Sequence, residues 1–209
     1  MKARPVLFSA PMVRSLLDDS KTMTRRIVKP QPGEDVRLHS LHDAFATFAR
    51  VVDGEPFVGR GLPCPYGKPG DRLWVRETWA VDYQHDAVKP SLLRPTVSTL
   101  YRASEDRPGV ARDGRRGRWR QSIFMPRWAS RITLEVTGVR VERLTKISEA
   151  DAKAEGVEAV NGHPERGAFL GLGPCHREGF AQLWADINGE GSWAANPWVW
   201  VISFARVES

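Results

Sequence analysis

The sequence predicts an α+β protein with a mostly antiparallel sheet, short flanking helices and one long insertion. Three observations point there. Residues 131–143, RITLEVTGVRVER, alternate apolar and polar over their whole length, as a half-buried strand does. Residues 198–207, WVWVISFARV, are apolar on both faces, which suits a strand closing a small barrel. Too few helical stretches alternate with strands for a doubly wound parallel fold.

The elements follow in order. Residues 4–8, RPVLF, read as a strand. Ser9 can cap the next segment, and Pro11 suits the first turn of a helix. There Met12, Val13, Leu16 and Leu17 share one helical face, and the helix ends near Asp19–Ser20. Lys21 to Val28 reads as extended, and KPQPG at 29–33 breaks it. Residues 34–60 point two ways. Leu38, Leu41, Phe45 and Phe48 have helical spacing, but Gly54, Pro56, Gly59 and Gly61 interrupt it. Gly70-Asp71 launches a strand through Leu73, Trp74 and Val75. Residues 82–122 are polar, carry three prolines and a basic run, and read as a long, partly mobile insertion. Residues 147–156 form a short helix, with Ser148 as cap, Asp151 completing a capping box and Gly156 as stop. Residues 157–178 read as loop. Phe180, Leu183, Trp184 and Ile187 then line one side of an amphipathic helix.

Length and composition narrow the function. The chain has 209 residues, is 41% hydrophobic and has formal net charge +6, which suits one globular domain with a real core. No apolar run approaches the roughly 20 residues of a membrane span, and the N-terminus lacks a signal-peptide pattern. A cytoplasmic protein without membrane partners is expected. Arginines outnumber lysines 24 to 7. Planar guanidinium groups suit phosphate or carboxylate recognition, although a GC-rich genome gives the same bias. Cys64, Cys175 and His176 match no zinc spacing, with His39, His42, His85 or His163 needed as a fourth ligand. No metal and no cofactor are expected. No serine sits in a nucleophile elbow. The run Arg112, Arg115, Arg116, Arg118 and Arg120, with Trp119 inside it, is the best nucleic-acid candidate.

The stretch DSKTMTRR at 19–26 resembles the G-x-K-T-x-E-x-R motif of ASCH domains, which share a small β-barrel with PUA domains. Lys21, Thr22 and Arg26 match; Asp19 stands at the glycine and Thr24 at the glutamate. Gly70-Asp71, the helix ISEADAKAEGV, the stretch FAQLWADING and the apolar last strand follow the family's order. The resemblance touches both ends of the chain and skips about 82–122. It implies one PUA-like domain over 1–209 carrying that insertion. Small bacterial ASCH enzymes that deacetylate N4-acetylcytidine also have threonine at the glutamate position. They use a lysine, that threonine and a later glutamate, which here are Lys21, Thr24 and Glu77. The length and the Trp-rich ending resemble phage and prophage ASCH proteins.

The chemistry implied is amide hydrolysis on a nucleoside or modified nucleobase. It needs a nucleophile, a base, an oxyanion donor and an acid for the leaving nitrogen. Thr24 offers a hydroxyl, and Lys21 a base if burial lowers its pKa. On a regular strand Lys21 and Thr24 face opposite sides, so a bend between them is required. Glu77 can hold Lys21 charged or protonate the leaving amine. Arg26 would bind phosphate or a base carbonyl, and Trp74 or Trp79 would stack a base. Arg115, Arg116, Arg118 and Trp119 would contact RNA or DNA. Two alternatives stay open: a non-catalytic RNA- or DNA-binding module, and a metal-independent ribonuclease. Lys21 and Thr24 can also be ordinary residues near a helix end, and Glu77 a surface partner of Arg76 or Arg26.

Overall fold

The alternating and doubly apolar segments fold as strands, and the structure is α+β with mostly antiparallel sheets and few helices. It is a computed structural model that describes residues 2–33, 35–52, 54–105, 114–160 and 175–207. Among them no helix is long and apolar enough to cross a membrane. The chain divides into two compact units. One holds residues 1–19, 71–135 and 206–209, the other 20–70 and 136–205.

In the first unit, β1 (Ala3–Leu7) runs parallel to β7 (Arg72–Arg76), and β7 lies antiparallel to the start of β10 (Thr133–Arg143). Gly70, just before β7, has φ 88°, a left-handed turn that glycine adopts without strain. Helix α1 (Ala10–Leu17) begins at Ser9, with Pro11 in its first turn, and buries Val13 and Leu16. Asp19 follows it at φ 56°, a conformation that a short polar side chain tolerates better than most. Helix α1 packs against α2 (Arg102–Glu105).

The described part of 82–122 is more than an excursion. Strands β8 (Trp79–Val81) and β9 (Thr99–Tyr101) pair antiparallel. Around them Trp79, Val81, Leu93, Met125 and Ala129 form an apolar core. From within the segment Leu93 is buried and Val88, Val97 and Tyr101 pack against this core, while Tyr83 and Leu92 stay exposed, so the polar composition hid the contribution. Residues 106–113 of the expected insertion, Arg112 among them, lie outside the described residues.

In the second unit, β11 (Trp198–Val207) lies between β10 and β2 (Met23–Ile27) and runs antiparallel to β2. Its residues 198–202 are all buried, as a strand apolar on both faces requires. Helix α3 (Glu149–Ala154) is capped by Ser148, whose hydroxyl accepts from the Asp151 amide at 3.1 Å. The expected return bond of a capping box is not what Asp151 makes; its carboxylate receives Arg25 and Arg140. Gly156, at φ 73°, ends this helical stretch. Helix α4 (His176–Asn188) buries Phe180 and Trp184 in a core with Met23, Leu144, Ile147, Ala152, Val199 and Val201. Ile187, expected on that face, is exposed.

Residues 34–60 resolve as strands. β3 (Arg37–His42), β4 (Phe45–Val52) and β5 (Glu55–Val58) form an antiparallel sheet, with β6 (Leu62–Pro63) also paired to β4. The helical spacing was coincidental: Phe48 and Ala46 face inward by strand alternation. Beyond Phe48 the β4–β5 hairpin leaves Val51, Val52, Phe57 and Val58 exposed.

Candidate functional site

Lys21 sits at the head of the β2 ladder, in an isolated bridge with Glu155. Its ammonium donates to the Glu155 backbone carbonyl at 2.7 Å and to its carboxylate at 2.8 Å. The side chain has no solvent exposure. Burial pulls its pKa below the ordinary 10.5, and the Glu155 carboxylate opposes that shift. A group charged at that depth is tolerated only when paired and hydrogen-bonded.

Four residues on, an even number along the strand, Arg25 presents its side chain to the same face. Arg25 reaches Glu155 at 3.3 Å, Glu142 at 2.7 Å and Asp151 at 2.7 Å. Its guanidinium lies 5.8 Å from the Phe180 ring centre, and Arg140 approaches Glu142 and Asp151 from beside it. Lys21, Arg25, Arg140, Glu142, Asp151 and Glu155 thus form one charged network in the second unit. Sequence reasoning missed Arg25, Glu142 and Glu155. An arginine four residues beyond the lysine, at even spacing on an extended segment, was the available signal.

Thr24 is buried and sits opposite Ile202 of β11. Strand alternation puts it on the face away from Lys21 and Arg25, which share Glu155. Arg26, half-buried opposite Trp200, takes Thr24's side of the strand alternation two positions on. Glu77 belongs to the first unit, where the Arg131 guanidinium grips its carboxylate through two bonds of 2.8 and 3.0 Å. Arg131 also reaches the Ser104 hydroxyl at 2.8 Å and stacks 4.0 Å from the Tyr101 ring centre. Burial raises the Glu77 pKa above its ordinary 4.5, and the bond from Arg131 works against this. The structure gives Lys21 and Glu77 separate partners, each in its own unit.

The expected base-stacking residues are occupied. Trp79 is fully buried, edge-on to Trp128 at 6.3 Å, with Arg120 over its ring. Trp74 is buried on β7 and carries Arg76 at 4.6 Å and Arg127 at 5.7 Å.

The arginine run is likewise committed within the first unit. Arg116 bonds Glu105 at 3.1 Å and lies 4.6 Å over Trp119, which also carries Arg102 at 5.4 Å. Arg118 donates its backbone amide to the Asp86 carboxylate and its side chain to the Asp86 carbonyl. Arg120 donates to the Val88 and His85 carbonyls at 2.9 and 2.8 Å. Arg115 is exposed, and its carbonyl receives the Tyr83 amide.

Of the metal candidates, Cys64 is buried. The Cys175 thiol faces the Glu149 carboxylate at 3.3 Å, and His176 Nδ1 lies 2.9 Å from the Val157 carbonyl. His163 lies outside the described residues.

One open cleft of about 640 Å³ lies in the second unit, its walls drawn from residues 35–38, 141–143, Lys146 and Trp198. Glu142 links it to the buried network, since one carboxylate lines the cleft and receives Arg25. The spacing of these residues along the chain gave no hint of the cleft. The chain matches no family model, no curated protein and no solved structure.

Proposed function

We propose that the chain is an ASCH-type protein with a PUA-like barrel that hydrolyses an N-acyl group from a cytidine-type nucleobase. One observation carries the chemistry: a lysine amine with no solvent exposure, 2.8 Å from a carboxylate, whose pKa burial drives down. Such a perturbed group marks a candidate site for proton transfer. Backbone geometry supports the family resemblance. Positions 19, 70 and 156, where the motifs have glycine, all adopt positive φ here, the conformation glycine supplies at no steric cost.

In this reading Lys21, as the neutral amine that burial favours, takes the proton of the attacking oxygen, with Glu155 holding it in place. The carbonyl C–N bond breaks, the nitrogen gains a proton, and water supplies the oxygen of the released acid. Thr24 and Glu77 enter through the resemblance; their faces and partners require movement before they meet Lys21. Incubation with N4-acetylcytidine should release cytidine on chromatography. Thr24→Val, which removes the hydroxyl from a buried position, should lose that release while the circular dichroism spectrum is kept. No release by the unaltered protein would remove the reading.

The second reading is a module that binds RNA or DNA. Its support is Trp119 with two guanidinium groups on its ring and the net charge of +6. Binding of this kind weakens steeply with salt through counterion release. A flat salt response would exclude it.

A further inference from the structure

We infer that the cleft of the second unit is a nucleotide site, holding a phosphate on Arg37 and Lys146 and a base beside Trp198. Arg37 and Lys146 line it, both exposed, and neither side chain has a hydrogen bond or ion pair among the described residues. This sets them apart from the cations of the buried network and the arginine run. Two unspent cations facing one cavity suit a single phosphate, which each can meet with charge-assisted hydrogen bonds.

The rest of the lining selects more than an anion. Glu142 is neutralised by Arg25 and Arg140. Among the described residues, Asp35 is therefore the one lining carboxylate outside that network. It opposes a second phosphate and can accept from a ribose hydroxyl or an exocyclic amine. Trp198 is nine-tenths buried, and its indole N–H has no acceptor among the described residues. Arg143, held by the Asn196 carbonyl at 3.2 Å, lies 4.7 Å over that ring. Phe48 meets the Trp198 ring edge-on at 5.2 Å, so the plane left for a base is the Arg143 guanidinium itself rather than the indole. The cleft volume falls within the range of small-ligand sites. One phosphate, one polar acceptor and one planar platform describe a mononucleotide, free or within a single strand.

The inference is independent of acyl hydrolysis, because N4-acetylcytidine carries no phosphate. The test is calorimetric titration of the full chain with cytidine 5′-monophosphate, cytidine and a single-stranded RNA hexamer. The monophosphate or the hexamer should bind, and cytidine should bind at least about tenfold more weakly than the tighter of them. The double variant R37A/K146A should weaken the phosphorylated ligand by about tenfold or more, the loss of one charge-assisted bond. Lys68→Ala, an exposed lysine outside the cleft lining, should leave it unchanged. A free nucleotide as ligand gives similar affinity for monophosphate and hexamer; a strand as ligand gives binding of the hexamer alone. Failure of both to bind, equal binding by the double variant, or equal weakening by Lys68→Ala would overturn the site. Cytidine release from N4-acetylcytidine, measured on the same samples, reports on the hydrolysis reading separately.

Discussion

The cations of residues 115–120 and those of the cleft have opposite fates. In the first unit, Arg116, Arg118 and Arg120 are turned onto the Glu105 carboxylate and the backbone carbonyls of Gly117, Asp86, Val88 and His85, and they tie the segment down. In the second unit, Arg37 and Lys146 stand apart in sequence, look unremarkable there, and their side chains have no internal partner among the described residues. Charge density along a chain therefore does not measure the charge available to a ligand. What decides availability is whether the fold supplies an acceptor within reach.

This difference can be broken by substitution. Lys21 is the extreme of the committed class. Lys21→Ala leaves Glu155 buried with one partner fewer, and should lower the unfolding free energy by about 3–5 kcal/mol in chemical denaturation. A loss under about 1 kcal/mol would mean that the pair behaves as if it were exposed. Arg120→Ala strips the Val88, His85 and Asp86 carbonyls of a charged donor and should cost about 1.5–3 kcal/mol.

A committed carboxylate gives a smaller effect. Glu149 accepts the amides of His176 and Arg177 at the start of α4. Glu149→Gln should cost about 0.5–1 kcal/mol. The His176 amide, first among its partners, holds the Glu149 pKa below the ordinary 4.5. Its contribution is therefore full above pH 4.5 and is lost as pH falls through the folded value. Thermal melts of the two proteins should converge on acidification, and a gap that stays constant would refute the assignment.

Smallest of all is R37A/K146A, which should shift stability by no more than about 0.5 kcal/mol while weakening nucleotide binding. A large destabilisation would place these residues with the committed class and erase the contrast.

Much of the fold was legible because it rests on local signals. β10 and β11 announced themselves by alternation and by apolarity on both faces, and Ser148 and Gly156 bounded α3 as capping chemistry requires. The β3–β5 sheet was illegible because Leu38, Leu41, Phe45 and Phe48 fall at helical intervals although Phe45 is exposed, so apolar spacing does not report which residues face inward. The first unit's core was hidden for a different reason: Trp79, Leu93 and Met125 are far apart in sequence and meet only after folding. The site divides the same way. Lys21 was legible from its motif, but its partner Glu155 lies 134 residues away, and no local pattern joins them. Glu77 was expected near Lys21, yet its bidentate partner Arg131 could be found only in three dimensions.

The exposed β4–β5 hairpin carries its own safeguard. Gly59 donates to the Phe48 carbonyl, and the register pairs Arg50 with Phe57 and Val51 with Pro56. In an antiparallel ladder, bonded and unbonded pairs alternate, so position 56 turns its backbone nitrogen away from β4. A proline there has no hydrogen to offer. An outer rim flanked by Val51, Phe57 and Val58 would otherwise be a template on which chains add to one another, as in amyloid. With that donor missing, a stacking copy meets a gap in its hydrogen-bond ladder, and the sticky edge stays soluble at the cost of a single residue.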